Sequence, residues 1–281
     1  MTAEAGVQAA LAFAVAGGRT SLLRQHVPYP FHVTRPFHLD PGRPDLATLY
    51  LQSASGGVYS GERLGLSIAM GEGAAAFVTT QSATIVHDCR GRPAALGVRL
   101  SLARGSLLAY APDPLVLFPG AAVRTMLDVT LGSGAAAVCQ DGFACHDPGG
   151  GGAPFDPGAG SAPFDHVQTE AVVRGPDGGL CVTDRGLVAG AMLGTAASPL
   201  GPYCAAGSVL LLGRLLEDGK ALQSRIDRLG CVSGVSALPN GAGTGIRLLA
   251  PDGGRLSLAL ALATNACFRT VSGVDPAPRR K

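Results

Sequence analysis

Thiol and imidazole side chains gather near the middle of the chain, where their chemistry suits a metal ion. Cys139, Cys145 and His146 lie close together in sequence, with Asp141 between them. Thiolate and imidazole ligands suit soft or borderline cations such as zinc, copper and nickel. Four defined ligands are not evident, so the same residues also fit buried thiols beside a solvated histidine. A direct metal site at Cys139, Cys145 and His146 therefore stays open at this stage.

The other cysteines do not extend this group into a known framework. The chain has seven cysteines, an odd number, and no two of them form a CxxC pair. Their wide spacing favours reduced, buried thiols over a disulfide framework.

Sequence signatures of common catalytic sites are missing. The chain contains no GxxxxGK[ST] phosphate-binding loop, no HExxH motif and no GxSxG nucleophile elbow. Asp113 lies inside Pro112-Asp113-Pro114, a rigid turn in which an aspartate either completes local backbone hydrogen bonds or serves as a functional carboxylate. The sequence alone identifies no catalytic residue.

Composition restricts the partners that the chain could bind. A formal net charge of +2 over 281 residues argues against nucleic-acid or membrane-surface binding driven by bulk charge. No apolar run is long enough to span a bilayer. The apolar N-terminal stretch follows Glu4 rather than the positive residues of a secretion signal. We expect a cytoplasmic protein without nucleic-acid or membrane partners.

The elements that carry these residues are predicted to be β-strands. Apolar residues alternate with small or polar ones over 64–70, 98–102 and 123–131, and a first strand is predicted at 9–15. Each of the three alternating strands leads through a glycine turn into another apolar run. The aligned glycines, Gly73, Gly105 and Gly134, are 32 and 29 residues apart. This rhythm favours stacked β-units, with a β-sandwich of evenly spaced hairpins as the alternative.

The remaining segments complete a single-domain prediction. Residues 147–165 are rich in glycine and proline and are expected to form a flexible surface loop. Helical spacing of apolar residues predicts two late helices, at 215–229 and 255–268. We predict one mainly β domain over residues 1–281, with a few C-terminal helices.

Five short motifs resemble those of the urease accessory protein UreD (UreH) family and occur in the same order. They are GRTSL at 18–22, PFHVTRPF at 30–37, SGGVYSGERL at 55–64, TTQSAT at 79–84 and PDPLVLFPGA at 112–121. The glycines of 55–64 are expected to let strands approach closely. The chain departs from the family pattern at Ile85 and His87, where a lysine and an aromatic residue are usual, and it has no tryptophan.

The resemblance implies a two-layer β-superhelical fold and a scaffold rather than an enzyme, with no permanently bound cofactor. It implies three partners: urease apoprotein, a UreF-like helical accessory protein and a UreG-like GTPase. Nickel would pass in transit to the urease active site. Thr79, Thr80, Asp113 and Asp141 are then the candidates for lining a nickel route through the β body.

Two alternatives to this interpretation are kept. One is a β-solenoid enzyme acting on a polymer such as a polysaccharide, which would need paired carboxylates in a groove. The other is a direct metal-binding protein that uses Cys139, Cys145 and His146.

Overall fold

Two β-sheets packed face to face form the body of the protein. The structure is a computed structural model, and it describes residues 6–146 and 162–279. The seven-stranded sheet contains β1 (Val7–Ala16), β2 (Arg19–His26), β5 (Arg63–Met70), β8 (Ala94–Leu102), β11 (Ala122–Leu131), β13 (His166–Arg174) and β14 (Leu180–Ala189). The ten-stranded sheet contains β3 (Phe31–Val33), β4 (Ala47–Ser53), β6 (Ala75–Thr80), β7 (Thr84–Val86), β9 (Leu107–Ala111), β10 (Leu115–Leu117), β12 (Ala136–Cys145), β15 (Ala205–Leu212), β16 (Val232–Ala237) and β17 (Gly243–Ala250). The helices are α1 (Gly219–Asp227) and α2 (Gly253–Ser272), with short 3-10 turns at Gly190–Met192 and Pro239–Gly241.

The prediction of a mainly β chain with late helices is confirmed. The sheet order defines two sheets of mixed strand direction and does not by itself indicate a superhelix, so superhelical coiling stays a prediction. The single-domain interpretation also stays a prediction. Of the proposed loop at 147–165, residues 147–161 lie outside the described residues. At its end Phe164 is fully buried, which does not fit a flexible surface loop.

The strand-turn-strand repeat crosses from one sheet to the other. The chain passes from β5 to β6, from β8 to β9 and from β11 to β12, each time leaving the seven-stranded sheet for the ten-stranded one. Equivalent strands of successive passes pair in parallel: β5 with β8, β8 with β11, β6 with β9, and β9 with β12. The predicted strands thus belong to stacked passes, because hairpins would pair consecutive strands antiparallel.

The glycines of the repeat sit in the left-handed backbone region. Gly73, Gly105 and Gly134 have φ values of 64°, 66° and 69°. The turns also bond to one another, since the Gly73 N–H donates to Arg104 O at 3.1 Å and the Gly105 N–H donates to Ser133 O at 3.0 Å. Glycine is required because an L side chain is strained at positive φ.

Both helices pack on the outer face of the ten-stranded sheet. Leu256, Leu260 and Phe268 of α2 are buried there. Gly142 and Gly207 make room, because a Cβ at Gly207 would lie 3.1 Å from Leu260 Cδ2. The helix predicted at 255–268 is confirmed within the longer α2. The helix predicted at 215–229 is too long: α1 begins at Gly219, and Leu215 is exposed before it.

Three apolar clusters stabilise this arrangement. The first lies between the sheets and includes Phe13, Ile68 and Leu108. The second lies between the ten-stranded sheet and the helices, and the third fills the end of the body around Val86 and Leu117. Among the described residues, no helix is long and apolar enough to cross a membrane.

The segment at 55–64 joins the passes at that end of the body. Val58 forms a parallel bridge with Val86, and its N–H donates to Ile85 O at 2.8 Å. Gly57 has a φ of 139°, and a Cβ there would lie 2.6 Å from Ile85 O. This contact confirms the expectation that glycine allows a close approach of backbone here.

The C-terminal segment is held by a buried ion pair. Arg279 and Asp40 are 2.7 Å apart, with 8% and 1% of their side chains exposed. The Arg279 guanidinium lies 3.7 Å from the centre of the Phe77 ring. Burial lowers the pKa of Arg279, and the Asp40 carboxylate opposes that shift. The end of the described chain is therefore part of the packed body.

Asp40→Asn should lower the free energy of unfolding by about 3 kcal/mol, because it leaves a buried guanidinium without its carboxylate. The measurement is chemical denaturation at neutral pH. Glu72→Gln is the control, since it removes one partner of the exposed Arg104–Glu72 pair and should leave stability nearly unchanged. Equal effects of the two variants would contradict a stabilising role for the buried pair.

Gly57→Ala should destabilise the fold more than Gly105→Ala. Both positions have positive φ, and the strain at Gly105 alone should cost about 1–2 kcal/mol. A Cβ at Gly105 meets nothing within 4 Å, whereas one at Gly57 meets Ile85 O and His87. Thermal unfolding of the two variants tests this order, and a larger loss for Gly105→Ala would refute it.

Candidate functional site

A group of polar side chains lies between the two sheets. We call Asp141, Ser208, Arg247 and Asp184 the inter-sheet polar cluster. Asp141 on β12 is directly opposite Ser208 on β15, which is directly opposite Arg247 on β17. Directly opposite residues share a face of a sheet, and Asp141 alternates with Cys139, a member of the apolar cluster between the sheets. Asp184 comes from β14 of the seven-stranded sheet.

Hydrogen bonds and an ion pair connect the members of the cluster. The Ser208 hydroxyl donates to Asp141 Oδ1 at 2.5 Å. Arg247 Nη2 contacts Asp184 Oδ2, so this ion pair joins the ten-stranded sheet to the seven-stranded one. A small cavity of about 10 Å³, close to the space one water molecule needs, lies beside Asp141, Ser208 and Asp184.

The surroundings raise the pKa of Asp141. Desolvation is the largest cause, the Ser208 hydrogen bond and the Arg247 charge oppose it, and the Asp184 charge adds to it. Asp141 is an exposed residue in an otherwise largely buried strand, although residues from strands of both sheets line the small cavity beside it. Burial and the Asp141 charge also raise the pKa of Cys139, to about 12, so that this thiol stays protonated at neutral pH. The site is therefore a partly desolvated carboxylate beside an inert thiol.

The threonines predicted to line a route face opposite sides of β6. Thr80 lies on the inter-sheet face, like Val78, and its Oγ1 accepts a hydrogen bond from the Asp113 N–H at 2.8 Å. Thr79 is buried on the helix-facing side, where its hydroxyl donates to Ala111 O at 2.7 Å. The structure thus brings Thr80 and Asp113 together and turns Thr79 away.

Cys139, Cys145 and His146 do not form one metal site. Cys139 and Cys145 are six residues apart on the extended strand β12, a separation of about 20 Å. His146 instead stacks on Phe118, with ring centroids 3.9 Å apart. No group of three or more metal-ligating side chains occurs in the part of the chain that the structure describes. The prediction of a joint site was wrong because sequence proximity along a strand is not spatial proximity.

His87 and His146 belong to a column of rings. His87 stacks on Tyr59 at 4.6 Å and packs edge-on against Phe118 at 5.5 Å. Phe118 in turn stacks on His146. At His87 the imidazole packs as an aromatic ring does. We infer a structural role for both histidines.

The sequence reasoning missed Ser208, Arg247 and Asp184. Ser208 interrupts the apolar strand AAGSVLLL, and Arg247 interrupts GTGIRLLA. A polar residue inside a strand of buried residues is the signal that could have found both. Their contact with Asp141 depends on the pairing of distant strands, which periodicity does not reveal.

Comparisons with known proteins place the chain among urease accessory proteins. A family model described as UreD urease accessory protein matches residues 5–281. Urease accessory protein UreD 1 of Methylorubrum extorquens is 46% identical over 98% of this chain and 92% of its own length. UreD 1 of Bradyrhizobium sp. BTAi1 is 44% identical, covering 98% and 95%. UreD 1 of Pseudomonas syringae pv. tomato is 33% identical, covering 94% and 91%.

The chain therefore belongs to the UreD urease accessory protein family. The resemblance found in the five short motifs is confirmed, and family membership supports a role in urease maturation.

Asp141→Asn should raise stability at pH 7 by an amount that shrinks as the pH falls. The pKa of Asp141 is higher in the folded chain than its unfolded value of about 3.9. The wild-type protein therefore loses stability as the pH rises from the unfolded pKa to the folded pKa of this residue. Asparagine removes that loss and can still accept the Ser208 hydrogen bond. Urea denaturation across this pH range tests the prediction.

Ser208→Ala is the matched variant for this measurement. It removes a hydrogen bond that favours the Asp141 carboxylate, so it should destabilise the fold most at neutral pH. If Asp141→Asn were destabilising at pH 7 and neutral at low pH, the carboxylate would be stabilised by its surroundings, contrary to our assignment.

Proposed function

We propose that this chain is a urease maturation scaffold that binds urease apoprotein and helps deliver nickel to its active site. Family membership carries the proposal, since relatives that match nearly the whole chain bear the name urease accessory protein. The chain has no phosphate-binding loop motif. A nucleotide-dependent step would therefore belong to another protein, and we propose a UreF-like helical accessory protein and a UreG-like GTPase as the further partners.

The inter-sheet polar cluster is our candidate for a stretch of the nickel route. Asp141 and Asp184 supply carboxylate oxygens between two sheets whose other inward residues are mainly apolar. Thr80 lies on the same inter-sheet face, and its hydroxyl contacts the backbone of Asp113. Thr79 faces the helices and is left out of the proposed route.

Oxygen ligands suit a cation in transit better than thiolates do. A conducted ion must be bound well enough to enter and weakly enough to leave. The protonated thiol of Cys139 would not trap nickel, because soft cations bind the thiolate form. Arg247 neutralises Asp184 while no other cation is there. A passing divalent ion would replace part of that positive charge.

The polymer-acting enzyme finds no support in the geometry of the inter-sheet polar cluster. Its paired carboxylates would need a groove that admits a sugar chain. Asp141 and Asp184 are instead engaged by Ser208 and Arg247, beside a cavity that holds about one water molecule. The scaffold remains our proposal, and family membership carries it.

Reconstituted urease activation tests the proposal. Omitting this chain should leave nickel-dependent urease activity at background, and full activity without it would exclude the scaffold role.

Asp141→Ala should lower activation about tenfold, the effect of losing one interaction worth about 1.4 kcal/mol. Glu72→Ala is the control, because this exposed carboxylate lies in a turn and should leave activation unchanged. Co-purification with urease separates lost binding from lost nickel delivery. A normal yield with Asp141→Ala would remove this residue from the route but leave the scaffold role intact.

A further inference from the structure

Two cysteines face each other where β12 and β15 meet. The antiparallel register of these strands runs from Ala137 opposite Leu212 to Ala144 opposite Ala205. The next step along the ladder places Cys145 opposite Cys204. The Cys145 N–H donates to Cys204 O at 3.2 Å, so the pairing continues through these residues.

The geometry of this pair suits a covalent bridge. Directly opposite residues in an antiparallel hydrogen-bonded pair have Cα atoms about 5.5 Å apart and side chains on the same face. Disulfides join Cα atoms about 4.4–6.8 Å apart. The Cα spacing of the pair therefore lies within the disulfide range, and closing the bridge requires the Cβ atoms to approach to about 3.5–4.5 Å from the wider spacing of a hydrogen-bonded pair. The Cys204 thiol donates to Pro251 O at 2.8 Å.

Accessibility distinguishes this pair from most of the other cysteines. Cys145, Cys181 and Cys204 are partly exposed, and the remaining four are buried. Cys181 lies on β14 of the seven-stranded sheet, where its thiol donates to Gly179 O. Of these three partly exposed cysteines, Cys145 and Cys204 are the two that the strand register places opposite each other.

We propose that Cys145 and Cys204 are a redox-active dithiol that a peroxide converts into a disulfide. One thiolate attacks the peroxide O–O bond, forming a sulfenic acid and releasing water. The second thiol then displaces water from the sulfenic acid, and the S–S bond forms. Overall, two thiols and one hydrogen peroxide give one disulfide and two water molecules. A small dithiol such as dithiothreitol reverses the change by exchange.

Either thiolate can attack the peroxide, and the thiol opposite it then resolves the sulfenic acid.

The bridge would fix a strand pairing that the inter-sheet polar cluster depends on. Asp141 and Ser208 are opposite each other on the same two strands, four residues along from the cysteines. The disulfide would also close the long connection between β12 and β15, which restricts the unfolded chain. We therefore assign the oxidised form the higher melting temperature. This inference does not rest on the proposed function.

Peptide mapping of the full chain tests the proposal. The purified protein is reduced, treated with one equivalent of hydrogen peroxide, alkylated and digested without reductant. We expect a linked Cys145–Cys204 peptide, a rise in melting temperature of several degrees, and reversal of both by dithiothreitol. Cys145→Ser and Cys204→Ser should abolish the linkage and the rise. Cys181→Ser, which changes the other partly exposed thiol, should preserve both.

Two results would overturn the proposal, and both can be read in the wild-type protein without any variant. One is sulfinic acid at Cys145 or Cys204 with no linked peptide, which would mean that the opposite thiol does not resolve the sulfenic acid. The other is linkage of Cys181 to either cysteine at a similar yield, which would mean that bridging follows exposure and not strand register.

Discussion

The repeated crossing between two sheets is the constraint on which the rest of the structure depends. Each pass leaves one sheet and enters the other through a turn that only a left-handed residue closes without strain, and Gly73, Gly105 and Gly134 occupy those positions. Because the turns also hydrogen-bond to one another, they hold successive passes in register. Parallel pairing within each sheet follows from this stacking.

That register decides which side chains face the interior. Along β12, Cys139, Asp141 and Phe143 face the seven-stranded sheet, while Val138 and Gln140 face the helices. A slip of one residue would exchange the two sets. The position of Asp141 between the sheets is thus a consequence of the turn glycines that lead into its strand. The same alternation separates Thr79 from Thr80.

Local patterns predicted the parts of the fold that local physics determines. The strand at 64–70 and the helix at 255–268 were found because apolar periodicity and turn residues act over a few positions. The helix at 215–229 was drawn too long, since exposed Leu215 matches the helical spacing without being packed. The joint site of Cys139, Cys145 and His146 failed for a related reason: an extended strand moves residues about 3.3 Å apart at each step.

The site could be predicted only in part, because it joins strands that are distant in sequence. Asp141 was found through the family resemblance, but its hydrogen-bond partner Ser208 is 67 residues further along the chain. Arg247 and Asp184, which form the ion pair of the cluster, are 63 residues apart. No periodicity reports which residue will be opposite another across such a separation. Family motifs can identify a single residue of the site, but only the pairing of the strands shows which residues lie beside it.

The inter-sheet polar cluster interrupts a face that otherwise carries mainly apolar side chains. Asp141 keeps exposed surface on β12, and desolvation by the neighbouring strands raises the pKa of its carboxylate against the Ser208 hydrogen bond and the Arg247 charge. Sequences tend to break local packing rules at functional sites. The nickel route that we propose would be such a function, because its cation would need oxygen ligands on this face.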